Sequence, residues 1–197
     1  MLSVVVLISG GGSNLEALLH ATEADEFPVD VVAVGADRDA HGLDHARSRG
    51  IPVFVTALAD YPDRASWGDA LLEQVQGFDA DLVVLSGFMR LLPARVIAAL
   101  FPRLINTHPA YLPEFPGAHA VRDALAAGTD ATGASIIVVD DGVDSGPIVA
   151  QRRVPVLSQD TEATLHGRIK LVERELLAQS LFGIATGTID LKELVRA

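Results

Sequence analysis

The chain has 197 residues, of which 49% are hydrophobic and 21% are charged, a composition typical of a globular protein with a substantial core. Its formal net charge of −11 argues against nucleic acid or an anionic membrane as the main partner. The absence of cysteine excludes disulfides, thiolate metal ligands and cysteine nucleophiles. Because the sequence has neither a basic leader nor an apolar run of transmembrane length, we expect a cytoplasmic protein.

Short β-branched runs alternate with longer amphipathic stretches, which predicts βαβ units around a largely parallel sheet. No linker or change of composition interrupts this pattern, so we expect a single α/β domain over residues 1–197. The first five strands are expected at Ser3–Ile8, Val29–Gly35, Val53–Val55, Leu82–Ser86 and Leu104–Thr107.

The pattern changes after Gly133. Two apolar runs, Ala134–Val139 and Pro147–Val156, predict a hairpin-like excursion at one edge of the sheet. A long helix is expected to begin near Thr161, because apolar residues recur at helical spacing from there on. Asp160 has the residue type and the position of its N-cap.

The Gly-rich stretch Ser9–Asn14 follows the first predicted strand and opens a helix at Leu15. Free N–H groups at a helix N-terminus suit a phosphate. The stretch lacks the third glycine of the dinucleotide fingerprint and the lysine of a Walker loop. It therefore indicates either a monophosphate or phosphoribosyl site or a plain tight turn. Without the fingerprint, Asp37 is weak evidence for a ribose ligand.

Two histidines, His41 and His45, have the i, i+4 spacing of zinc ligands on one helix face. No third ligand has a recognisable spacing, so a solvated helical turn is favoured and no metal is predicted. His20 and His166 lie in helical segments without a visible partner and are expected at the surface.

The stretch Arg103–His119 carries an amide and an imidazole two positions apart. In a strand, Asn106 and His108 point to the same face and can converge on one point. The amide can stabilise an oxyanion, and the imidazole can carry a proton at neutral pH. A carboxylate of the acidic loop Asp140–Pro147 could orient and charge His108, as in a catalytic triad. Polar residues that merely cap a turn would give the same pattern.

The stretch Leu82–Pro93 runs from a buried strand through Gly87 into an apolar segment at the carboxyl end of the sheet. Open α/β sheets bind ligands at that end. The segment therefore either lines a pocket for a flat heterocycle or packs into the core. Arg64, early in a helical stretch, is an ordinary surface charge as far as the sequence alone goes.

Together, and in this order, the motifs resemble those of the phosphoribosylglycinamide formyltransferases, a family of folate-dependent enzymes of the purine pathway. The resemblance covers nearly the whole chain and rests on Ser9-Gly-Gly-Gly-Ser-Asn14, Gly87-Phe-Met-Arg90, Asn106-Thr-His-Pro109, Leu112-Pro-Glu-Phe-Pro-Gly117 and Asp140-Asp-Gly-Val-Asp-Ser-Gly-Pro147. It implies a Rossmann-like, mostly parallel seven-stranded sheet with helices on both faces. It also implies a phosphate-binding half over about residues 1–100 and a folate-binding, catalytic half over about residues 101–197.

The resemblance assigns roles by matching position. The implied catalytic residues are Asn106, His108 and Asp144. The implied substrate-binding residues are Gly12, Ser13, Asn14, Lys170 and Glu173. The last two also have the spacing of opposite charges on a solvated helix. The implied folate contacts are Arg64, Met89, Arg90, Leu91, Leu92, Asn106, Asp140, Asp141, Gly142, Val143 and Asp144.

The implied reaction transfers the formyl group of the co-substrate 10-formyltetrahydrofolate to the amine of 5'-phosphoribosylglycinamide, in de novo purine biosynthesis. Asn106 and protonated His108 would stabilise the tetrahedral oxyanion, and Asp144 would favour the protonated imidazole. Both partners are small molecules, no metal, nucleic acid or membrane is required, and a monomer or homodimer is expected.

Three alternatives remain open. Formyltetrahydrofolate hydrolase and methionyl-tRNA formyltransferase share the Asn-x-His…Asp set. The former usually has an extra N-terminal regulatory domain, and the latter has a basic C-terminal domain for tRNA. A non-catalytic nucleotide-binding module would leave that set unexplained.

One position departs from the family pattern. Ile137 stands where the family commonly has a histidine, in the strand before the acidic loop. We therefore expect a sparser polar network beside the catalytic groups, or one that uses water or Ser135 instead.

Overall fold

The computed structural model describes residues 1–196 and contains one seven-stranded sheet within that range. Its strands are Leu2–Ile8 (β1), Val29–Ala36 (β2), Val53–Val55 (β3), Leu82–Leu85 (β4), Leu104–His108 (β5), Ala131–Val138 (β6) and Ile148–Pro155 (β7). The strand order is β3-β2-β1-β4-β5-β6-β7. Strands β1 to β5 are parallel, and β6 is antiparallel to both of its neighbours. The predicted mostly parallel sheet is confirmed.

Helices cover both faces of the sheet. They are Ser13–Ala21 (α1), Leu43–Arg47 (α2), Arg64–Gln76 (α3), Ala94–Leu100 (α4), Ala120–Ala126 (α5), Glu162–Thr186 (α6) and Leu191–Leu194 (α7). α1, α2, α5 and α6 pack on one face, while α3 and α4 pack on the other around the fully buried Trp67. Within residues 1–196, none of the helices is long and apolar enough to cross a membrane.

The central strands are continuous apolar runs because both of their faces are covered. All five residues from Val4 to Ile8 in β1 are 0% exposed. A strand with one solvated face would alternate apolar and polar residues instead. This is why the sequence shows short β-branched runs, and why the helices must supply the polar surface.

The predicted edge hairpin is present as β6 and β7, but β6 begins at Ala131 rather than after Gly133. A Cβ at Gly133 would lie 2.3 Å from the carbonyl oxygen of Arg152 in β7. The glycine that marks a boundary in the sequence is therefore needed inside the strand, where the two backbones lie close together.

The N-cap of α6 is Thr161, so the prediction of Asp160 as the cap is wrong by one residue. The Thr161 hydroxyl accepts a hydrogen bond from the Thr164 amide at 3.2 Å, and the Thr164 hydroxyl accepts one from the Thr161 amide at 2.9 Å. This reciprocal pair is a capping box. Asp160 forms an ion pair with Arg168 instead. Aspartate and threonine are both good N-cap residues. Thr164, at the third helical position, pairs with Thr161 and so decides which residue is the cap.

The strand order reverses between β1 and β4, with β2 and β3 on one side and β5 to β7 on the other. Ligands of open α/β sheets bind outside the carboxyl ends of the strands at such a point. The Gly-rich stretch leaves β1 there, and the segment that begins at Gly87 leaves the neighbouring β4 there. The topology therefore brings together two of the motifs that the sequence separates.

Candidate active site

Two polar side chains of β5 converge on one carboxylate. Asn106 Nδ2 lies 3.4 Å from Asp144 Oδ1, and His108 Nδ1 lies 3.3 Å from Asp144 Oδ2. The alternation of the strand puts Asn106 and His108 on one face, and the loop between β6 and β7 carries Asp144 to that face. The structure thus brings together the three residues that the family resemblance implies are catalytic.

Asp144 is the carboxylate of the acidic loop that contacts the imidazole, whereas Asp140 accepts a hydrogen bond from the Ser145 hydroxyl at 3.0 Å. The backbone of Asp144 has a φ of 53°, a left-handed conformation that is uncommon for residues other than glycine. Its Oδ2 also accepts a hydrogen bond from the Gly117 amide at 2.8 Å. Such conformations persist where surrounding contacts hold them, and here the amide and two β5 side chains do so.

Both ring nitrogens of His108 face hydrogen-bond acceptors. Nδ1 faces Asp144, and Nε2 lies 3.0 Å from the carbonyl oxygen of Phe115. A neutral imidazole carries one N–H and an imidazolium carries two, so only an imidazolium can donate to both acceptors. His108 is only 4% exposed. A positive charge at that depth needs a counterion, which Asp144 supplies.

The loop after β5 is held by side chains of β6 and β7. Ser135 Oγ donates to the carbonyl oxygen of Ala110 at 2.8 Å and accepts from the Leu112 amide at 3.1 Å. Gln151 Nε2 donates to the carbonyl oxygen of Leu112 at 3.0 Å. Because the Ser135 hydroxyl is engaged with the loop, the structure does not favour Ser135 among the three alternatives, which were a sparser network, water or Ser135.

Ile137 makes the neighbouring wall apolar. It is 2% exposed and lies opposite Asn106 in the register of β5 and β6. Its side chain lines the cavity that also contains Asn106 and His108. The polar network beside the imidazole therefore consists of Asn106, Asp144 and the backbone groups of the loop after β5.

One cavity, here called the catalytic cavity, has a volume of about 340 Å³. Its wall contains the trio together with two of the predicted folate-binding segments, Met89–Leu92 and Asp140–Asp144. Met89 and Leu91 are 66% and 62% exposed, so their side chains provide apolar surface for a flat ligand. Arg64 lies outside this wall and donates from Nη2 to the carbonyl oxygen of Leu91. It therefore holds the backbone of this predicted folate-binding segment.

The second cavity, here called the phosphate cavity, has a volume of about 480 Å³. The Gly-rich stretch Ser9–Asn14 forms one side, and α6 forms another through Lys170 and Glu173. The two cavities share the wall residues Gly87, Met89, Thr107, Pro109 and Ala118. A molecule in one cavity can therefore meet a molecule in the other at the carboxyl ends of β4 and β5.

The Gly-rich stretch forms the start of α1, which begins at Ser13 rather than at Leu15 as predicted. Gly12 is the N-cap, with a φ of 66° and no side-chain cap. A Cβ at Gly12 would lie 2.9 Å from the Cα of Gly42, so this position needs glycine for its conformation and for its space. The first amides of a helix have no partner within it. Those of Ser13 and Asn14 border the cavity and suit an anion.

Glu173 is buried, which contradicts its alternative role as a charge on a solvated helix. It is 4% exposed, and its Oε2 accepts a hydrogen bond from Asn14 Nδ2 at 3.2 Å. Burial raises the pKa of Glu173, although Asn14 and the charge of Lys170 act in the opposite direction. The Asn14 side-chain oxygen is buried without a hydrogen-bond partner in the described structure. A polar ligand in this cavity could therefore reach both side chains.

His166 was expected at the surface, but it is half-buried in the wall of the phosphate cavity. Burial lowers its pKa, and the nearby charge of Lys170 adds to this effect. The spacing of His166 and Lys170, one turn apart on α6, is a signal that could have linked the two residues.

His45 is half-buried and supports the Gly-rich stretch rather than belonging to a fully solvated turn. Its Nε2 lies 3.1 Å from the carbonyl oxygen of Gly11. Within residues 1–196, no group of three or more His, Cys, Asp or Glu side chains is arranged to hold a metal ion. The contact could not be predicted from the spacing of His41 and His45, because it joins α2 to the loop after β1.

A buried carboxylate lies between the cavities. Asp37, directly after β2, is 2% exposed and accepts hydrogen bonds from Arg38 Nη2 at 2.8 Å and from Arg90 Nε at 2.7 Å. Burial alone would raise the pKa of Asp37, but hydrogen bonds from Arg38, Ser9 and Arg90 outweigh it and lower the pKa to about 2. Ser9 Oγ also accepts a hydrogen bond from the Met89 amide at 2.8 Å. The sequence alone gave Asp37 little weight and did not indicate this cluster.

Comparison with known proteins gives a consistent result. The family model described as formyl transferase matches residues 2–181. The phosphoribosylglycinamide formyltransferase of Mycobacterium tuberculosis (strain H37Rv) is 48% identical over 93% of this chain and 85% of its own length. The enzyme of that name from Escherichia coli (strain K12) is 34% identical over 98% of this chain and 91% of its own length.

Solved structures agree with these relatives. The crystal structure of glycinamide ribonucleotide transformylase 1 from Symbiobacterium toebii superposes with a TM-score of 0.92 at 40% identity, over 95% of this chain and 89% of that chain. The phosphoribosylglycinamide formyltransferase from Brucella melitensis superposes with a TM-score of 0.87 at 41% identity, over 93% and 95% of the two chains. Similarity of sequence and of fold therefore extends over the cavities described above.

Proposed function

Because the chain belongs to the formyl transferase family, it is a one-carbon transferase, and we propose that Asn106, His108 and Asp144 carry out its chemistry. Its activity is that of its relatives, phosphoribosylglycinamide formyl transfer in purine biosynthesis. The formyl donor is 10-formyltetrahydrofolate, the acceptor is the amine of 5'-phosphoribosylglycinamide, and the products are tetrahydrofolate and formylglycinamide ribonucleotide. One observation carries the assignment of the trio, namely that Asn106 and His108 meet on Asp144 where the two cavities adjoin.

In this proposal each substrate occupies one cavity. The folate lies in the catalytic cavity, against Met89–Leu92 and Asp140–Asp144. The ribonucleotide lies in the phosphate cavity, with its phosphate at Gly12–Asn14 and its ribosyl-glycinamide part near Lys170 and Glu173. The shared wall lets the amine reach the formyl carbon without either substrate leaving its cavity. Arg64 acts on the folate site by bracing the Leu91 backbone.

Attack of the amine on the formyl carbon produces a tetrahedral intermediate with a negative oxygen. The Asn106 amide has two N–H groups, and one of them remains available while the other faces Asp144. Because Nε2 of His108 faces the Phe115 carbonyl and Nδ1 faces Asp144, a protonated His108 acts on the oxyanion through its positive charge. Donors fixed in advance around a developing oxyanion stabilise it without reorganisation. Asp144 faces the imidazole as its carboxylate partner. The attacking nitrogen gives up a proton, and the folate nitrogen gains one as its bond to the formyl carbon breaks.

We also propose the finer points of organisation. The single domain over residues 1–197, with a phosphate-binding half before about residue 100 and a folate-binding half after it, remains a prediction. So do a cytoplasmic location, a monomeric or homodimeric state and the absence of a nucleic-acid partner. The charge of −11 supports the last point, because it opposes binding to a polyanion.

The activity is tested by following the absorbance change of tetrahydrofolate production with and without the ribonucleotide. We expect product only when the ribonucleotide is present, and loss of that product in His108→Ala. Equal turnover without the ribonucleotide would identify a formyltetrahydrofolate hydrolase and overturn the assignment. Ligand binding without turnover under either condition would identify a non-catalytic module.

A further inference from the structure

Asp37 and Arg38 have no role in the mechanism above, although their cluster with Arg90 reaches both cavities. Arg38 belongs to the wall of the phosphate cavity, and Arg90 belongs to the wall of the catalytic cavity. Asp37 itself is buried, with its side chain 0% exposed. One carboxylate therefore fixes two guanidinium groups that face different cavities.

The phosphate cavity needs positive charge that its Gly-rich stretch does not supply. Ser9–Asn14 contains neither lysine nor arginine. Among the described residues of the wall, the formal cations are Arg38 and Lys170, while Glu162 and Glu173 are acidic. The chain as a whole carries a charge of −11, so its overall field repels an anion. A phosphate dianion therefore depends on local cations as well as on backbone amides.

Arg38 lies in the wall of the phosphate cavity and has N–H donors that Asp37 does not occupy. Its Nε and Nη2 donate to Asp37 at 3.2 Å and 2.8 Å. A guanidinium has five N–H groups, so three remain after these two bonds. The Arg38 side chain is 51% exposed, which leaves the remaining donors accessible from the cavity. Its position is fixed by Asp37, so a ligand would meet a cation whose orientation is already set.

We propose that Arg38 is a further substrate-binding residue, which supplies a cation to the phosphate of the ribonucleotide, and that Asp37 is its positioning residue. This inference rests on the proposed function only for the identity of the ligand. The site itself requires a sugar phosphate or another compact phosphate monoester. Because the guanidinium binds the anion in the ground state and in the transition state alike, it contributes to KM rather than to kcat.

The test compares Arg38→Gln, Arg38→Lys and the matched control Arg47→Gln. Arg47 is a half-exposed arginine of α2, paired with Asp44 at 2.9 Å and outside the cavity wall. In Arg38→Gln we expect the KM for the ribonucleotide to rise about 10-fold or more, since charge-assisted hydrogen bonds are lost. The KM for the folate and kcat should change less than about twofold. Arg38→Lys should restore most of the affinity, and Arg47→Gln should behave as the wild type.

Calorimetric binding of ribose 5-phosphate to the wild type and to the same variants separates this inference from the activity. A wild type without turnover that still binds ribose 5-phosphate in an Arg38-dependent way would refute the function but support the site. A wild type with turnover whose ribonucleotide KM is unchanged in Arg38→Gln would overturn the inference and leave the function intact. Equal losses in Arg38→Gln and Arg47→Gln, or no rescue in Arg38→Lys, would also overturn it.

Discussion

The two cavities offer different parts of the chain to the ligands proposed for them. In the catalytic cavity the polar atoms belong to side chains, Asn106, His108 and Asp144, whose contacts with one another are long, at 3.3 to 3.4 Å. In the phosphate cavity the proposed anion site combines backbone amides at Gly12–Asn14 with the side chains of Arg38 and α6. Side chains can be exchanged singly, whereas the backbone part of the anion site can be changed only through its shape.

This difference predicts how substitutions divide between kinetic constants. A donor aimed at an oxyanion acts in the transition state, so its loss lowers kcat. A cradle for a phosphate that does not react binds equally in the ground state and the transition state, so its loss raises KM. In steady-state kinetics, substitutions in the catalytic cavity should therefore lower kcat, and substitutions in the phosphate cavity should raise KM.

The largest expected effect is that of Asp144→Asn. The amide keeps the shape of the side chain but removes the charge that stabilises the protonated imidazole. We expect kcat to fall about 100-fold or more, since general acid–base groups contribute factors of this order. The KM for both substrates should change little. Stopped or continuous absorbance assays under saturating substrates provide the measurement.

A matched control for this variant is Asp25→Asn, an exposed carboxylate remote from both cavities, which should keep wild-type kinetics. The melting temperature of both variants should remain near that of the wild type. If Asp144→Asn were merely destabilised and retained its kcat, the carboxylate partner of His108 would be Asp140 or Asp141, and the trio would be wrong.

The second-largest kinetic effect is expected for a substitution at Gly11, in the wall of the phosphate cavity. A Cβ there would meet no atom within 4 Å, so Gly11→Val should leave stability unchanged while its side chain obstructs the cavity. We expect the KM for the ribonucleotide to rise about 30-fold, equivalent to one or two lost charge-assisted hydrogen bonds. The folate KM and kcat should stay within about twofold.

Two further glycine variants, Gly12→Ala and Gly167→Ala, serve as controls for Gly11→Val. Gly12→Ala should lower the melting temperature, because its left-handed φ of 66° and the contact with Gly42 oppose any side chain. Gly167→Ala, on the exposed side of α6 with open space around it, should leave KM unchanged. A Gly11→Val enzyme with both substrate KM values raised equally would argue against a separate phosphate cavity.

The smallest effect concerns Asp37, which lies between the cavities. The pKa of Asp37 is lowered to about 2 from its usual 3.8. A carboxyl with a lowered pKa in the folded state stabilises the protein fully above about pH 4 and progressively less as the pH falls towards 2. Between pH 5 and pH 2.5, the wild type should therefore lose roughly 1 to 2 kcal/mol more of its free energy of unfolding than Asp37→Asn does.

Urea unfolding of the two proteins at several pH values measures this difference, and other titrating groups cancel in the comparison. A difference that stays constant with pH would mean that Asp37 is not held ionised by its arginine partners. The same data also report whether Asp37→Asn folds.

Much of the sheet and of the trio could be predicted from local pattern. β1 to β5 are short apolar runs, and Asn106 and His108 are two positions apart in a strand, so their common face follows from geometry alone. Local pattern failed where two choices were locally equal. Asp160 and Thr161 are both good N-caps, and Gly133 has the same appearance as a strand breaker and as a close-contact residue.

The remaining features depend on pairs far apart in the chain. Arg64 braces Leu91, and Arg90 meets Asp37, but no spacing in the sequence indicates either contact. The burial of Glu173 depends on where α6 lies relative to α1. Such contacts are consequences of packing, so they become visible only once the helices have been placed on the sheet.

The hydrogen bond between Asn14 and Glu173 joins residues that are 159 positions apart. This separation affects what the chain can bind while it is being synthesised on the ribosome. At ribosomal rates of about 5 to 20 residues per second, roughly 10 to 30 s pass between the synthesis of the two residues. Throughout that interval the Gly-rich stretch exists without the wall that encloses its ligand. The nascent chain therefore cannot capture the ribonucleotide early, and the substrate cannot act as a template for folding of the first strands.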